Sequence, residues 1–379
     1  MATPGGVRYG NVISGALRGW TADCVRLEEV FAEAIANFEK WSDQVDPMLQ
    51  LYGYPTDNVD RQWGLLQMKT SRAEIGGAHV GSQMRLNFVP RPVPLQAWEF
   101  VLQFIYEGKQ LASSEQIKWR CTQMMQNTYS RFKLEALLKA TMLRNGSSLV
   151  FDDYLTGDAK AQTPWWNADG EVPEHYAMNT FSGSHDHFHG VGSGGTVNVT
   201  EMEALLHTIS EHGHNGRIQL YTDSVGVVAL RKGGILNYAQ MIMGQGALGL
   251  KSPCACGGKS ESAPETPLFY PVGTTFGMQV LRSDLMPTGY ILAVAVPESN
   301  AAGWAAPDSP LSVYVDAQPG LNGVHITGIE QSGTSTDVIY TGYYGIAVYN
   351  RGAGAGLDTT TGGGTYTDPT IDLNPWTNA

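Results

Sequence analysis

The fold is indicated most strongly by residues 273–296, whose sequence is Gly273-Thr-Thr-Phe-Gly277-Met-Gln-Val-Leu-Arg-Ser-Asp-Leu-Met-Pro287-Thr-Gly289-Tyr-Ile-Leu-Ala-Val-Ala-Val296. Short apolar runs separated by Gly and Pro corners are typical of β-strands joined by tight turns. Two later stretches have the same character, Tyr343-Tyr-Gly-Ile-Ala-Val-Tyr-Asn350-Arg351-Gly-Ala-Gly and Gly364-Thr-Tyr366-Thr-Asp-Pro369-Thr-Ile371. None of them places a nucleophile beside a base, so we interpret this part of the chain as an assembly element.

The composition favours a protein with large interfaces. A chain of 379 residues exceeds the size at which one core stops growing, so two or three modules are expected. Charged residues make up only 16% of the chain, whereas about 25% is typical. Interface cores are depleted in charge and enriched in Tyr, Trp and Met, and this chain has 17, 9 and 13 of them. An ordinary glycine-rich β protein explains the same composition equally well.

The net charge of −12 argues against a general nucleic-acid binder, so any contact with DNA must be local. The first residues lack the layout of a signal peptide, and the longest apolar run, Tyr290 to Val296, is too short to span a bilayer. We therefore expect a soluble protein made in the cytoplasm, with no membrane partner and with free thiols. The cysteines are Cys24, Cys121, Cys254 and Cys256.

Several segments have a clear secondary-structure pattern. Apolar spacing predicts an amphipathic helix over residues 24–41, a short helix over 98–106 and a longer one over 114–143. The last of these is expected to be a rod of roughly 45 Å, at 1.5 Å per residue. Thr200-Glu-Met-Glu203 predicts a capping box that opens a helix ending at Gly213, and residues 217–222 alternate as a strand.

Two segments concentrate basic residues. Residues 52–94 lack strong periodicity, and they predict a long, extended excursion that lies on another surface. Its basic side chains, predicted to contact a neighbouring subunit, are Arg61, Lys69, Arg72, Arg85 and Arg91. Residues 114–144 are net +4, whereas the rest of the chain is −16. Their basic side chains, predicted to face DNA unless the helix face is merely solvated, are Lys118, Arg120, Arg131, Lys133, Lys139 and Arg144.

The best candidate for metal chemistry is Ser184-His185-Asp-His187-Phe-His189-Gly. Alternation in a strand would put the three imidazoles on one face, as a zinc site requires. However, no Asp-His pair or nearby Glu completes a known metal signature, so we predict that the three histidines bind no stoichiometric metal. His207 and His212 are five residues apart and do not share a helix face, so we do not expect a ligand pair there.

Other motifs do not support catalysis. Cys254-Ala-Cys256 has no second Cys pair for a zinc knuckle, and the stretch from Gly244 to Pro267 has the composition of a surface loop. Gly352-Ala-Gly-Ala-Gly356 lacks the Gly-Lys-Ser/Thr of a phosphate loop and is interpreted as a turn. We therefore predict a protein that is not an enzyme and needs no cofactor.

The strand pair with the pattern G-x-x-V and P-x-G-Y, followed by the N-R-G-A stretch at Asn350, resembles the closing portion of major capsid proteins of tailed bacteriophages. The order of elements over residues 50–375 is similar to that family. The resemblance implies the α+β phage major capsid fold. Its parts would be an N-terminal arm with an amphipathic helix (1–49), an extended loop (50–95), a peripheral domain with a long spine helix (96–163 and 325–379) and an axial domain (164–324).

The resemblance also implies a function. The chain would assemble with itself as pentamers and hexamers into an icosahedral head that encloses double-stranded DNA. Portal and scaffolding proteins, and decoration proteins in some heads, would be its partners, and it would be located in the virion after assembly in the host bacterial cytoplasm. An encapsulin nanocompartment shell, which shares the fold, and a His185/His187/His189 metallohydrolase stay open as alternatives.

Overall fold

The computed structural model describes residues 25–26, 29–34, 36–37, 51–69, 83–105, 113–144, 149–174, 179–214, 216–237, 270–297, 309–314, 323–332 and 335–372. The helices are α1 (Ser114–Met142), α2 (Val199–Ser210) and α3 (Ser224–Lys232). The strands are β1 (Gly53–Thr56), β2 (Gln62–Lys69), β3 (Gln83–Pro90), β4 (Gln96–Ile105), β5 (Val150–Asp152), β6 (Ala159–Ala161), β7 (Phe188–Gly190), β8 (Ile218–Thr222), β9 (Tyr270–Thr275), β10 (Met278–Arg282), β11 (Tyr290–Ala295), β12 (Leu311–Tyr314), β13 (Gly323–Ser332), β14 (Ser335–Tyr344), β15 (Ile346–Val348) and β16 (Gly354–Asp358).

A six-stranded mixed sheet in the order β7-β16-β11-β8-β10-β9 forms the centre of the fold. β9, β10 and β11 occupy the quoted stretch, so the strands predicted there are confirmed, as is the strand predicted at 217–222. Every residue of β8, β11 and β16 is buried, because helices α2 and α3 cover one face of the sheet and aromatic side chains pack on the other. The continuous apolar run of β11 is therefore the pattern of a strand buried on both faces.

β16 begins inside the glycine-rich stretch 352–356, so the interpretation of that stretch as a turn is correct for Gly352 and Ala353 and wrong for Gly354 to Gly356. In the strand, small residues are needed where large aromatic side chains approach the sheet. A Cβ at Gly354 would lie 2.5 Å from the Trp165 ring, and one at Gly356 would lie 3.2 Å from Phe188. The glycines thus give Trp165 and Phe188 room to pack directly against the backbone.

Helix α1 confirms the predicted long helix. Ser113 caps it, accepting a hydrogen bond from the Gln116 backbone, and the Gln116 side chain accepts one in return from the Ser113 backbone. At 1.5 Å per residue its 29 residues make a rod of about 44 Å. In the second half of α1 almost every side chain from Leu134 to Leu143 is buried, so this half is a core element.

The short helix predicted over residues 98–106 is wrong, because this segment is strand β4. It pairs with β14 over ten residues, from Gln96 opposite Tyr344 to Ile105 opposite Ser335, and β13 completes the sheet. Ala97, Glu99, Val101 and Gln103 are exposed, and the Trp98 ring stacks on Phe132 of α1. The period of two was visible in the sequence, but the apolar residues were matched to a helix instead.

The other local predictions are adjusted in detail. The segment predicted as a helix over 24–41 is helical at 29–34 and 36–37, and its other residues, except 25 and 26, lie outside the described residues. The capping box of α2 is Asn198 with Glu201, so the helix begins at Val199, earlier than Thr200-Glu203 indicated. Asn198 is the N-cap residue because its short side chain accepts a hydrogen bond from the Glu201 backbone N–H. The loop from Gly244 to Pro267 lies outside the described residues.

The excursion predicted at 52–94 contains a two-stranded antiparallel ribbon. β2 and β3 pair from Gln62 opposite Pro90 to Lys69 opposite Gln83, and within the described residues neither joins a larger sheet. β1, just before the ribbon, joins β12 and β15 in a separate three-stranded sheet. The residues just before the ribbon are therefore held in a sheet of their own.

The C-terminal segment contributes to more than one sheet. β13 and β14 join β4, as expected for one unit made of 96–163 and 325–379, whereas β16 lies inside the sheet of β7, β8 and β11. The predicted division into peripheral and axial domains stays a prediction. In the part of the chain that the structure describes, the helices are too short or too polar to cross a membrane.

Candidate functional site

Four side chains converge at the end of α2, and we call them the histidine cluster: His185, His187, Glu211 and His212. The Nε2 atoms of the three histidines form a triangle with edges of 3.0 Å, 2.9 Å and 3.0 Å. The Glu211 Oε1 atom lies 3.4 Å from His185 Nε2. The four possible ligand atoms all lie within 4.8 Å of one another.

Three chain segments build the histidine cluster. His185 and His187 precede β7, and alternation along this extended segment turns their rings to the same side. Glu211 caps the C-terminal end of α2, and His212 follows it. His212 fits only because residue 352 is glycine, since a Cβ there would lie 2.7 Å from His212 Cγ.

A hydrogen bond fixes the orientation of His187, and Glu211 has a close contact with a histidine outside the cluster. His187 Nδ1 lies 2.7 Å from the Gly354 carbonyl oxygen, which can only accept, so the Nδ1–H donates and Nε2 is a bare lone pair. The second oxygen of Glu211, Oε2, lies 3.4 Å from Nδ1 of the exposed His207. Glu211 thus turns one carboxylate oxygen toward the cluster and the other toward the surface.

Burial keeps the three rings neutral. Burial lowers the pKa of His185 to about 4, and the charges of His189 and Arg351 add to this effect. The pKa of His212 is lowered to about 3 by burial and by the nearby His185 and His214 rings. The fully buried His187 has a pKa well below its ordinary value because of desolvation. At neutral pH the rings therefore offer lone pairs rather than charges.

Aromatic side chains line the cluster. The Phe181 ring stacks on His212 at a centroid distance of 4.5 Å and lies 4.9 Å from His185. The Trp166 ring stacks on His212 from 6.3 Å. The exposed fraction of the side chain is 14% for His185 and 17% for Glu211, His212 is also partly exposed, and His187 is buried. The cluster is therefore partly covered and bordered by aromatic side chains.

The candidate trio of His185, His187 and His189, which we predicted to bind no metal, is not the set of histidines that the fold brings together. His189 Nε2 bonds the Thr208 hydroxyl at 2.9 Å and takes no part in the cluster. His212 takes its place, although its spacing from His207 had argued against a ligand pair. Sequence periodicity could not find this residue, because His212 lies beyond the end of a helix and reaches His185 and His187 only through the tertiary fold.

Arg351, in the Asn-Arg-Gly-Ala stretch, is the centre of a second buried group. Its guanidinium donates to the carbonyls of Pro164 and Trp165, and it pairs with Asp169 at 2.7 Å and Glu171 at 2.9 Å. It also lies over the Trp166 ring, 4.1 Å from the centroid. This arginine holds the 164–171 segment against the central sheet.

The basic side chains of α1 fall into two groups. Lys118 pairs with Glu115 in its own helix and with Glu33 from a distant part of the sequence, and Lys139 pairs with Glu135 in its own helix. Arg144 pairs with Asp368 at 3.0 Å, and Lys133 is engaged in contacts of its own. Arg120 is exposed and Arg131 partly exposed, and within the described residues neither forms an ion pair. Among the described basic side chains of α1, these two therefore carry a charge that no carboxylate neutralises.

The basic side chains of the ribbon are also divided. The Arg61 guanidinium lies over the Tyr349 ring at 3.5 Å, and it bonds the Ser312 hydroxyl at 2.5 Å. Arg91 is buried and pairs with Glu171 at 2.7 Å. Both anchor the base of the ribbon inside the chain. Among the other predicted contacts, the structure gives only the backbone of Lys69 and Arg85, and Arg72 lies outside the described residues.

Comparisons with known proteins agree with the fold. No protein-family model matches the sequence, and no curated protein sequence matches it. A chain from Mycobacterium phage Patience is similar in structure, with a TM-score of 0.62, 18% sequence identity, and coverage of 97% of this chain and 96% of that one. The chain thus has the fold of phage capsid proteins, and the fold predicted from the resemblance, the tailed-phage major capsid fold, is confirmed.

Two further structures are similar at a lower level. The holo-SrpI encapsulin complex from Synechococcus elongatus PCC 7942 has a TM-score of 0.46 and 14% identity, with coverage of 85% of this chain and 91% of that one. The capsid of a native GTA particle has a TM-score of 0.46 and 11% identity, with coverage of 83% and 89%.

Proposed function

We propose that this chain is the major capsid protein of a tailed phage, which assembles as pentamers and hexamers into an icosahedral head around double-stranded DNA. The observation that carries the proposal is the capsid fold shared along nearly the whole of both chains, 97% and 96%. A capsid subunit acts through its surfaces, and the composition, with 16% charged residues, suits a chain that covers much of its surface with neighbours.

The ribbon supports the proposal as an assembly element. A two-stranded hairpin is at best marginally stable alone in water, and the unpaired backbone groups along its edges can form hydrogen bonds with another chain. Phe88 on β3 is 62% exposed and offers apolar surface to such a chain. We propose that the ribbon lies on an adjacent subunit, with Lys69, Arg72 and Arg85 against the acidic surface of that neighbour.

DNA contact is assigned to the exposed part of α1. Arg120 and Arg131 are the basic side chains of this helix that keep an unpaired charge among the described residues. Phosphate contacts are electrostatic and independent of sequence, so two arginines per subunit, repeated over a shell, suffice for a diffuse interaction. We propose that this face looks into the shell.

Expression of the chain followed by size-exclusion chromatography and electron microscopy tests the proposal. Closed icosahedral particles, and the same chain as the main shell component of DNA-filled phage heads, are the expected results. Closed particles that co-purify with a protein cargo instead of DNA would assign the chain to the encapsulin alternative. A monomer that hydrolyses ester or amide substrates in a metal-dependent way would overturn the proposal.

A further inference from the structure

The three imidazoles of the histidine cluster cannot all be satisfied by hydrogen bonds to one another. His187 Nε2 carries no proton, because its Nδ1–H is donated to the Gly354 carbonyl. If His185 and His212 both carry a proton on Nε2, the two N–H groups face each other across 2.9 Å. If only one does, the other ring presents its bare nitrogen to the bare nitrogen of His187 across 3.0 Å. At least one contact is repulsive in every arrangement of neutral rings.

A cation at the centre of the triangle removes this conflict, because it accepts all three lone pairs at once. We propose that His185, His187, His212 and Glu211 form a binding site for one divalent transition-metal ion of the zinc type. Three imidazole nitrogens and one carboxylate oxygen are ligands that Zn²⁺ accepts, and a buried, mostly imidazole site favours it over Mg²⁺ or Ca²⁺, which prefer oxygen. The proposal is independent of the assignment of the chain as a capsid protein.

The distances suit a tetrahedral ion. With Zn–N bonds of about 2.0–2.1 Å, ligand atoms around a tetrahedral zinc are separated by about 3.3–3.4 Å. The distance from Glu211 Oε1 to His185 Nε2 is already 3.4 Å, and the carboxylate, which lies within 4.8 Å of the other two ring nitrogens, has to come to about the same distance from them. The imidazole triangle, with edges of 2.9–3.0 Å, has to open by only about 0.4 Å per edge, a movement within reach of small rotations of the rings.

The surroundings have the features of a designed metal shell. The Gly354 carbonyl holds His187 in the tautomer that presents Nε2, as the outer partners of metal-bound histidines generally do. His207 orients Glu211 from outside, and Phe181 shields two of the rings. The positive charge closest in sequence to Gly354, that of Arg351, is balanced by Asp169 and Glu171.

Four protein ligands make a closed site, which is typical of structural zinc, whereas catalytic zinc keeps a position open for water. The ion would tie the end of α2 to the segment before β7 and, through the Gly354 carbonyl, to β16. These three segments are held together otherwise by packing, by the pairing of β7 with β16 and by the hydrogen bond from Asn179 to the Glu211 carbonyl. The ion is therefore expected to stabilise the subunit and to catalyse nothing.

The test uses the purified full-length chain. The protein is stripped with a chelator, incubated with ZnCl₂, desalted and measured by elemental analysis and thermal melting. His212→Gln removes one ligand, and His189→Gln is the matched control, because His189 lies two residues from His187 but bonds Thr208 outside the cluster. We expect about one zinc per chain in the wild type and in His189→Gln, and at least a roughly tenfold lower content in His212→Gln.

Zinc should also raise the melting temperature of the wild type and of His189→Gln, and leave that of His212→Gln unchanged. Should His212→Gln fail to fold, Co²⁺ bound to the wild type decides the question, since a tetrahedral site gives intense visible absorption and adventitious surface binding does not. The proposal is overturned if the stripped wild type takes up no zinc, if His212→Gln binds as much zinc as the wild type, or if Co²⁺ gives only the weak spectrum of the hydrated ion.

Discussion

The central sheet and the ribbon complete their packing in opposite ways. β8, β11 and β16 are buried at every residue, and each has a hydrogen-bonded strand on both sides. β2 and β3 pair only with each other within the described residues, and Phe88 on β3 is exposed. The sheet is therefore stabilised by its own chain, whereas the ribbon has to find its remaining contacts outside it. A substitution in the sheet should change folding, and one in the ribbon should change assembly.

The largest effect on folding is expected from Arg351→Met. The change leaves Asp169 and two backbone carbonyls without their buried partner and removes one of the two arginines that pair with Glu171. Removing one member of such a network should lower the free energy of unfolding of the unassembled subunit by about 3–5 kcal/mol. Chemical denaturation measures this, with Arg282→Met as the matched control, since Arg282 pairs with Asp284 at the surface and should contribute only about 0–1 kcal/mol. Equal losses in the two variants would contradict a structural role for Arg351.

A smaller loss is expected from Gly354→Ala, which tests the packing of the sheet directly. The added methyl would lie 2.5 Å from the Trp165 ring, and overpacking of this kind typically costs about 1–3 kcal/mol. The control is Gly216→Ala, where a Cβ has no atom within 4 Å, so stability should stay within about 0.5 kcal/mol. If both variants unfold at the same denaturant concentration, the glycines of β16 are not required for close approach.

The ribbon should show the opposite behaviour. Reversal of Lys69, Arg72 and Arg85 to Glu should leave the circular dichroism spectrum and melting temperature of the unassembled subunit unchanged and abolish closed particles. Each exposed pair contributes only about 0–1 kcal/mol, but three reversals replace attraction with repulsion in every subunit. Reversal of the exposed Arg217, Arg231 and Lys232 changes the net charge by the same amount and is the control. If electron microscopy shows normal shells from the ribbon variant, the ribbon is not part of the assembly contact.

The smallest structural effect is expected in α1. Arg120→Gln with Arg131→Gln should leave both folding and assembly intact, weaken DNA retention most at low salt, and make the loss of DNA with rising salt less steep, because fewer counterions are released per subunit. Lys118→Gln with Lys139→Gln removes the same charge from side chains already paired with carboxylates, and it should change retention much less. DNA content of purified heads across a salt series distinguishes the pairs. Identical curves would show that the α1 face does not contact DNA.

Local sequence patterns determined the elements whose stability is local or whose apolar run is unmistakable. The capped helix α1 and the strands of the quoted stretch belong to this group, because a capping residue or a buried strand leaves its signal within a few neighbouring residues. The order of these elements was sufficient for the capsid fold. The alternation of exposed and inward-facing residues along β4 also indicated a strand, but this segment was interpreted as a helix.

Only the tertiary structure decided the features that depend on residues far apart in the chain. β16 is a strand because Trp165, nearly two hundred residues earlier, needs the space that glycine leaves. Arg61 and Arg91 were predicted to contact another subunit because they are charged, but within the chain they already contact Tyr349 and Glu171. His212 joins His185 and His187 because α2 folds back onto the central sheet. Spacing along the sequence reports which side chains share one element, and it cannot report which elements meet.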